Sequence, residues 1–476
     1  MISQYGKVGF VGIDSYLNEH KEEHVHNLRE AVAIPSVSSW PSHRQEVIGM
    51  IKHVGSKLES LNYEVEFCEL GNQKLSDGSE LKLPPIILAT PKNFDLDKKT
   101  VCIYGYCDVE PAQLTDGWNT EPFLLTEKDG KMYGRGSTNA KGPVIGWLNV
   151  LTAFNKTGTE LPVNVKFCFE GMKESNSEGL VELLLERKDT YFDDVDFLSI
   201  SYSNWMCYTR PCIIYGVANF RAEVECADKE LIYDGSAYNA MSDLSYVINQ
   251  LVDVNAQLRV PQIYDQVAPF TDEELASYDK VDFDQIEYAA DIMAPNIVHD
   301  NKADSLMSRW RYPSLSVNGI EILKLDGKPV IPGKVIGKFS IRLVPNMTPD
   351  VLEKMVAERL ESKWEEINSP NEFRVSMIDA SEPWLFELDQ TNYEAAKKAF
   401  KTVFNVDPDV RREGGSNPIT LKFQETLGMD VLLLPMSGVD DCEHCQNESL
   451  DREKYFKGME MFVRYFFELP LAFAVT

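Results

Sequence analysis

Positive charge is what this sequence is short of. Its 476 residues carry 47 Lys and Arg against 75 Asp and Glu, a formal net charge of −28. Such a surface repels phosphate and anionic headgroups, and a basic cluster as short as Arg411-Arg412 makes no polyphosphate track, so partners of the nucleic-acid and membrane classes are excluded. Long apolar runs are missing too, and residues 1–7 lack the basic-then-apolar opening of a signal peptide. The expectation is a cytoplasmic protein. The nine cysteines are scattered and odd in number, unlike a disulfide framework, and in that compartment they stay reduced. Histidine is scarce, with four of the seven at His20, His24, His26 and His43 in no ligand spacing.

What is present is ordinary globular material, 43% hydrophobic, at about three times the common domain length, which predicts at least two domains. Val47, Met50, Ile51, Val54, Leu58 and Leu61 form one apolar helical stripe, and Tyr63, Val65 and Phe67 then alternate with Glu64 and Glu66 as in a strand. Apolar runs at 86–89 and 163–169 flank a helical stretch at 143–154, the rhythm of a sheet with helices on its faces. The middle differs. Extended patterns at 212–226 and 335–344 bracket an acidic helical region at 271–290, and Thr348-Pro349-Asp350 opens a helix. After Pro383 the α/β rhythm returns, so the middle reads as a domain inserted into a discontinuous one.

Four segments carry a resemblance: Tyr104-Gly105-Tyr106-Cys107-Asp108-Val109-Glu110-Pro111, Gly134-Arg135-Gly136-Ser137-Thr138-Asn139-Ala140-Lys141-Gly142-Pro143, Phe169-Glu170-Gly171-Met172-Lys173-Glu174-Ser175, and Asp440-Asp441-Cys442-Glu443-His444-Cys445-Gln446-Asn447-Glu448. They resemble the metal-site motifs of the M20 family of metallopeptidases, in its carnosinase and cytosolic nonspecific dipeptidase branch. The resemblance implies an α/β catalytic domain, a mixed central sheet flanked by helices, over 1–210 and 384–476. It also implies an inserted ferredoxin-like lid at 211–383 that mediates homodimerisation. Family members use two zinc or manganese ions and a glutamate base to hydrolyse a peptide bond.

Against that pattern this chain departs. Tyr106 stands at the first ligand His, Asn139 at the bridging Asp, Lys173 at the general base, and Tyr202 at a further ligand Asp. The lid His that reaches the partner's site is replaced by Ile232. Asp108, which orients the first His in the family, is kept, as are Glu174 and His444 of the second metal. The Asp-to-Asn, Glu-to-Lys and Asp-to-Tyr exchanges together add four positive units, the charge of two divalent ions. The reading is a centre dismantled as a unit, with Lys173 neutralising the remaining acids and no metal or cofactor expected. Arg342, matching the carboxylate-binding Arg, and Glu413, Gly414, Gly415 and Ser416, matching the substrate-backbone segment, are expected to bind ligand with Glu174 and His444.

The expected function is therefore a pseudopeptidase holding a small peptide or amino-acid-like ligand, as a homodimer or paired with an active paralogue. Two alternatives stay open: a metal-independent enzyme using Lys173, Tyr106, Tyr202 or His444, and a residual dipeptidase with one ion at Glu174 and His444. A zinc shell drawn from Cys442, His444, Cys445 and Glu174 is the weaker reading of that segment, since structural sites use two separated ligand pairs and a free Cys is commonly a small buried apolar residue.

Overall fold

The computed structural model describes residues 4–473 apart from 76, 202–217, 226–228, 231–234, 282, 292–293, 323–329, 345, 381–390, 409–417, 430, 437 and 439. Two compact units result. The first comprises Met1–Ile213, Phe386–Val410 and Lys422–Thr476, and the second Ile214–Leu385 and Arg411–Leu421.

The first unit is built on a six-stranded mixed sheet in the order Tyr63–Cys68, Ile86–Pro91, Asn164–Glu170, Thr100–Tyr106, Phe197–Ile200, Val431–Leu433. The first two pairings are antiparallel and the remaining three parallel. Burial explains the sequence patterns. Every residue of the central strand Asn164–Glu170 is buried, which suits a continuous apolar run, whereas edge strand Tyr63–Cys68 keeps Glu64 and Glu66 exposed. The helix Arg44–Ser60 buries Val47, Met50, Ile51, Val54 and Leu58. The helix Lys141–Thr157 is covered nearly all round: Trp147 stacks on Phe462 at 3.7 Å between ring centroids, and the Asn149 amide donates to the Tyr455 hydroxyl at 3.0 Å. Gly142 allows that helix to begin where it does, because a Cβ there would stand 2.0 Å from the Ser137 carbonyl oxygen.

The register of this sheet makes a site. Tyr106 and Glu170 are opposed at the carboxyl ends of adjacent parallel strands, so the turns at 107–108 and 171–175 leave the sheet side by side, where open α/β sheets place ligands.

The second unit is a four-stranded antiparallel sheet in the order Leu315–Ile322, Lys334–Ile341, Ala218–Glu225, Glu372–Ala380. The helices Ala240–Asn249 and Pro349–Ile367 share a core with it that includes Phe220, Val224, Leu244, Val247, Phe339 and Val356. Thr348 caps the second of these helices by accepting from the Val351 N–H. The acidic stretch is two helices, Asp272–Lys280 and Gln285–Asp291, because Val281 and Phe283 turn inward between them. Among the described residues no helix is long and apolar enough to cross a membrane.

Candidate functional site

Three loops of the first unit converge. Asp108 follows its strand and, buried, accepts from the backbone N–H groups of Lys173 at 3.1 Å and Glu174 at 2.9 Å, which fixes the short helix Lys173–Ser175. Burial, reinforced by the charge of Glu174, pushes the Asp108 carboxyl up to about 7. The second loop, 134–140, is braced by Glu448. That buried carboxylate accepts from the N–H groups of Gly136, Thr138 and Asn139 at 3.0, 3.2 and 3.1 Å and pairs with Arg135 at 2.9 Å. Ala140 ends the loop at φ 69°, ψ −85°, a strained setting for a residue with a Cβ and one typical of functional turns. The third loop, 438–448, is held by Asp441, which accepts from the Gly438 N–H at 2.5 Å and the Thr138 hydroxyl at 3.1 Å; burial lifts its carboxyl to about 7.

Where the loops meet, the side chains form one chain of contacts. The Tyr106 hydroxyl donates to the Asn139 carbonyl oxygen, and the Asn139 amide nitrogen lies 2.6 Å from His444 Nε2. His444 Nε2 is 3.0 Å from Glu174 Oε1. Lys173 Nζ donates to both oxygens of Glu174, at 3.2 and 3.3 Å, and lies 4.6 Å from the centre of the Tyr106 ring. Nε2 cannot accept from Asn139 and donate to Glu174 together, so the amide's orientation and the imidazole proton are tied. Burial would raise the Glu174 carboxyl, but the His444 hydrogen bond and the Lys173 charge outweigh it and hold it below its ordinary value. On His444, desolvation pulls the pKa down, and the hydrogen bond and charge of Glu174, with Glu443, win and raise it.

Thus Asp108, Tyr106, Asn139, Lys173, Glu174 and His444 come together. Tyr202 and Glu413, Gly414, Gly415 and Ser416 lie outside the described residues. Arg342 belongs to the second unit. Its Nη1 donates to the carbonyls of Ser308, at 3.2 Å, and Arg309, and it lines a cavity of about 670 Å3 with Arg309, His299, Tyr264, Tyr288 and Tyr312. The Arg309 guanidinium rests 5.3 Å from the centre of the Tyr288 ring.

The residues that sequence reasoning passed over are Arg135, Glu170, Asp441, Glu443 and Glu448. All sit inside the motif segments, but none stands at a ligand position of the family pattern. Glu443 Oε1 approaches His444 Nε2 at 4.0 Å. Burial, most of all, raises the carboxyls of both Glu170 and Glu443.

Residues 102–468 match the pattern of peptidase family M20/M25/M40. The chain belongs to peptidase family M20. It is 43% identical to a Beta-Ala-His dipeptidase of Rattus norvegicus over 464 residues, 95% of this chain and 94% of the relative. It is likewise 43% identical to a Cys-Gly metallodipeptidase of Candida albicans over 466 residues, 95% and 96% of the two chains. The crystal structure of human carnosine dipeptidase 1 superposes with a TM-score of 0.89 at 41% identity, covering 96% of this chain and 98% of that one. The mixed α/β fold of M20 dipeptidases is thereby shown.

These relatives overturn two expectations. A non-hydrolytic pseudopeptidase, or pseudoenzyme with a degenerate metal site, conflicts with full-length relatives that are named dipeptidases, and an expected lack of metal conflicts with the name metallodipeptidase. The physical reason is that the charge argument counted only acids lost at ligand positions. In three dimensions Asp108 and Glu174 lie beside Lys173 and His444, so carboxylate and imidazole donors that a tally of exchanged residues left out remain together. The donors fit one divalent ion: imidazole nitrogen and carboxylate oxygen at His444 and Glu174 already face each other. Among the described residues no group of three His, Cys, Asp or Glu is spaced as a ready cage.

Proposed function

We propose that this M20 chain is a dipeptidase, a hydrolase of the peptide bond in short peptides of the Beta-Ala-His or Cys-Gly kind. The observation that carries the reading is full-length similarity to dipeptidases together with the facing pair His444 and Glu174 at the carboxyl ends of the sheet. A divalent ion held by that pair would polarise the scissile carbonyl and make a bound water acidic. The chain's own residues supply the rest. Glu443, partly buried beside His444, is the carboxylate positioned to take a proton from the attacking water. Lys173 offers N–H donors to the negative charge that develops on the carbonyl oxygen, and Tyr106 fixes the Asn139 side chain beside the pair. Support for Arg342 as the anchor of the substrate's terminal carboxylate comes from a guanidinium oriented by two backbone carbonyls at the wall of a cavity of ligand size.

Self-association through the second unit is part of the same reading, supported by its edge strand Leu315–Ile322, which exposes Val317 and Ile320. The test is hydrolysis of β-Ala-His and Cys-Gly by the purified chain with zinc or manganese supplied. Turnover that disappears on chelation is expected. Absence of turnover on a broad dipeptide panel with either ion present refutes the proposal.

A further inference from the structure

Free cysteines are commonly buried, and Cys68, Cys102, Cys107 and Cys168 obey that rule. Cys442 and Cys445 do not; both are exposed, contrary to the expectation of small buried residues. They stand three residues apart in one turn, where the Cys445 N–H donates to the Cys442 carbonyl at 3.0 Å. A turn closed in this way brings its end Cα atoms within about 7 Å, and a disulfide asks for roughly 4.4 to 6.8 Å. The turn is also anchored on both sides of its tip, by Asp441 on Gly438 and Thr138 and by Glu448 on the 134–139 loop. A bond between the thiols therefore needs movement only at the tip, and the residue enclosed with Glu443 in that tip is His444.

We propose that Cys442 and Cys445 form a reversible dithiol–disulfide pair that exchanges with small-molecule disulfides and thereby governs the position of His444. One thiol, as its thiolate, attacks a sulfur of the small disulfide. A mixed disulfide forms and a small thiolate leaves, taking a proton from water. The second cysteine loses its proton to solvent and attacks the protein-side sulfur, releasing the other small thiolate. The protein loses two electrons and two protons, and the small disulfide is reduced to two thiols. The resulting ring constrains the backbone at His444, now at φ 59°, and shifts its imidazole from the 3.0 Å contact with Glu174. Control of peptide turnover by this bond rests on the proposed dipeptidase function; the bond itself does not.

The full chain is equilibrated with glutathione buffers from fully reduced to fully oxidised, quenched in acid, alkylated and digested with trypsin. The peptide 423–452 holds Cys442 and Cys445 and no other cysteine. It should pass in a single two-electron step from doubly alkylated to unalkylated and two hydrogens lighter. Both thiols remaining alkylatable at every ratio, or both carrying glutathione, overturns the proposal. With β-Ala-His as substrate, oxidation should lower turnover several-fold in the native chain and leave a Cys442→Ser/Cys445→Ser double variant unaffected. A disulfide that forms without changing turnover overturns its control of His444. A chain that hydrolyses nothing in either state refutes the dipeptidase reading and leaves the peptide masses to judge the bond.

Discussion

Replacing Lys173 by Met keeps its bulk and removes its charge from the most crowded corner of the molecule. Lys173 Nζ stands 3.2 Å from Glu174 Oε1, and the two side chains retain only 11% and 7% of their accessible surface. At an effective dielectric constant near 20 such a pair attracts by about 5 kcal/mol, and removing one partner of a buried pair typically costs about 3 to 5 kcal/mol because the other charge is stranded. His444 remains as a second partner of Glu174, so the expected loss of metal-free stability at pH 7 is about 2 to 3 kcal/mol.

The pH dependence has a definite sign. In the native chain Glu174 is held below its ordinary value, so its stabilisation is present above the unfolded carboxylate pKa and is lost as pH falls through the lowered folded value. Without Lys173, burial dominates and the folded value rises. The gap between variant and native chain is then widest near neutrality and narrows as the pH falls and Glu174 protonates. Thermal melts monitored by circular dichroism from pH 4 to 8, with chelator and with added manganese or zinc, read both effects. Metal should recover more stability in Lys173→Met than in the native chain, since ligands that bind only the folded state stabilise it by mass action. Equal melting of the two proteins at pH 7 in chelator, or a gap that does not narrow in acid, refutes the reasoning.

Glu448→Gln breaks the Arg135 pair and weakens three backbone contacts at once, so a loss of about 3 kcal/mol or more in melting experiments is expected, with turnover falling alongside. Arg342→Met should raise KM for dipeptides by roughly 10- to 100-fold, the worth of a charge-assisted pair at about 1.5 to 3 kcal/mol, with a smaller effect on kcat. Glu443→Gln should lower kcat by about 100-fold or more while KM and melting temperature change little, as steady-state kinetics will show.

Much of this molecule was legible before folding. The stripe Val47 to Leu58, the alternation at 63–68 and the buried run at 164–170 each declared an element, because burial of one face or of both leaves a period in the chain. The acidic helical region is indeed helical, but only packing shows that it breaks into two helices where Val281 and Phe283 turn inward. At the site, resemblance to the M20 motifs brought Asp108, Asn139, Lys173, Glu174 and His444 forward as a group, and the fold does gather them. Reasoning from substitutions then went astray over charge. An alignment position reports what was exchanged at one point, whereas electrostatic balance is summed over everything within a few ångströms.

The amino-acid order by itself determined the family and the alternation of strands and helices, and through resemblance to that family it named part of the candidate site, because these depend on local periodicity and on motifs contiguous in the chain. Only tertiary structure decided that Glu448 and Asp441 brace loops some three hundred residues earlier, that Glu443 joins Glu174 around His444, and that Cys442 and Cys445 face solvent across one turn. Such relations depend on distance, burial and the direction of side chains, which arise when separate strands are brought into register.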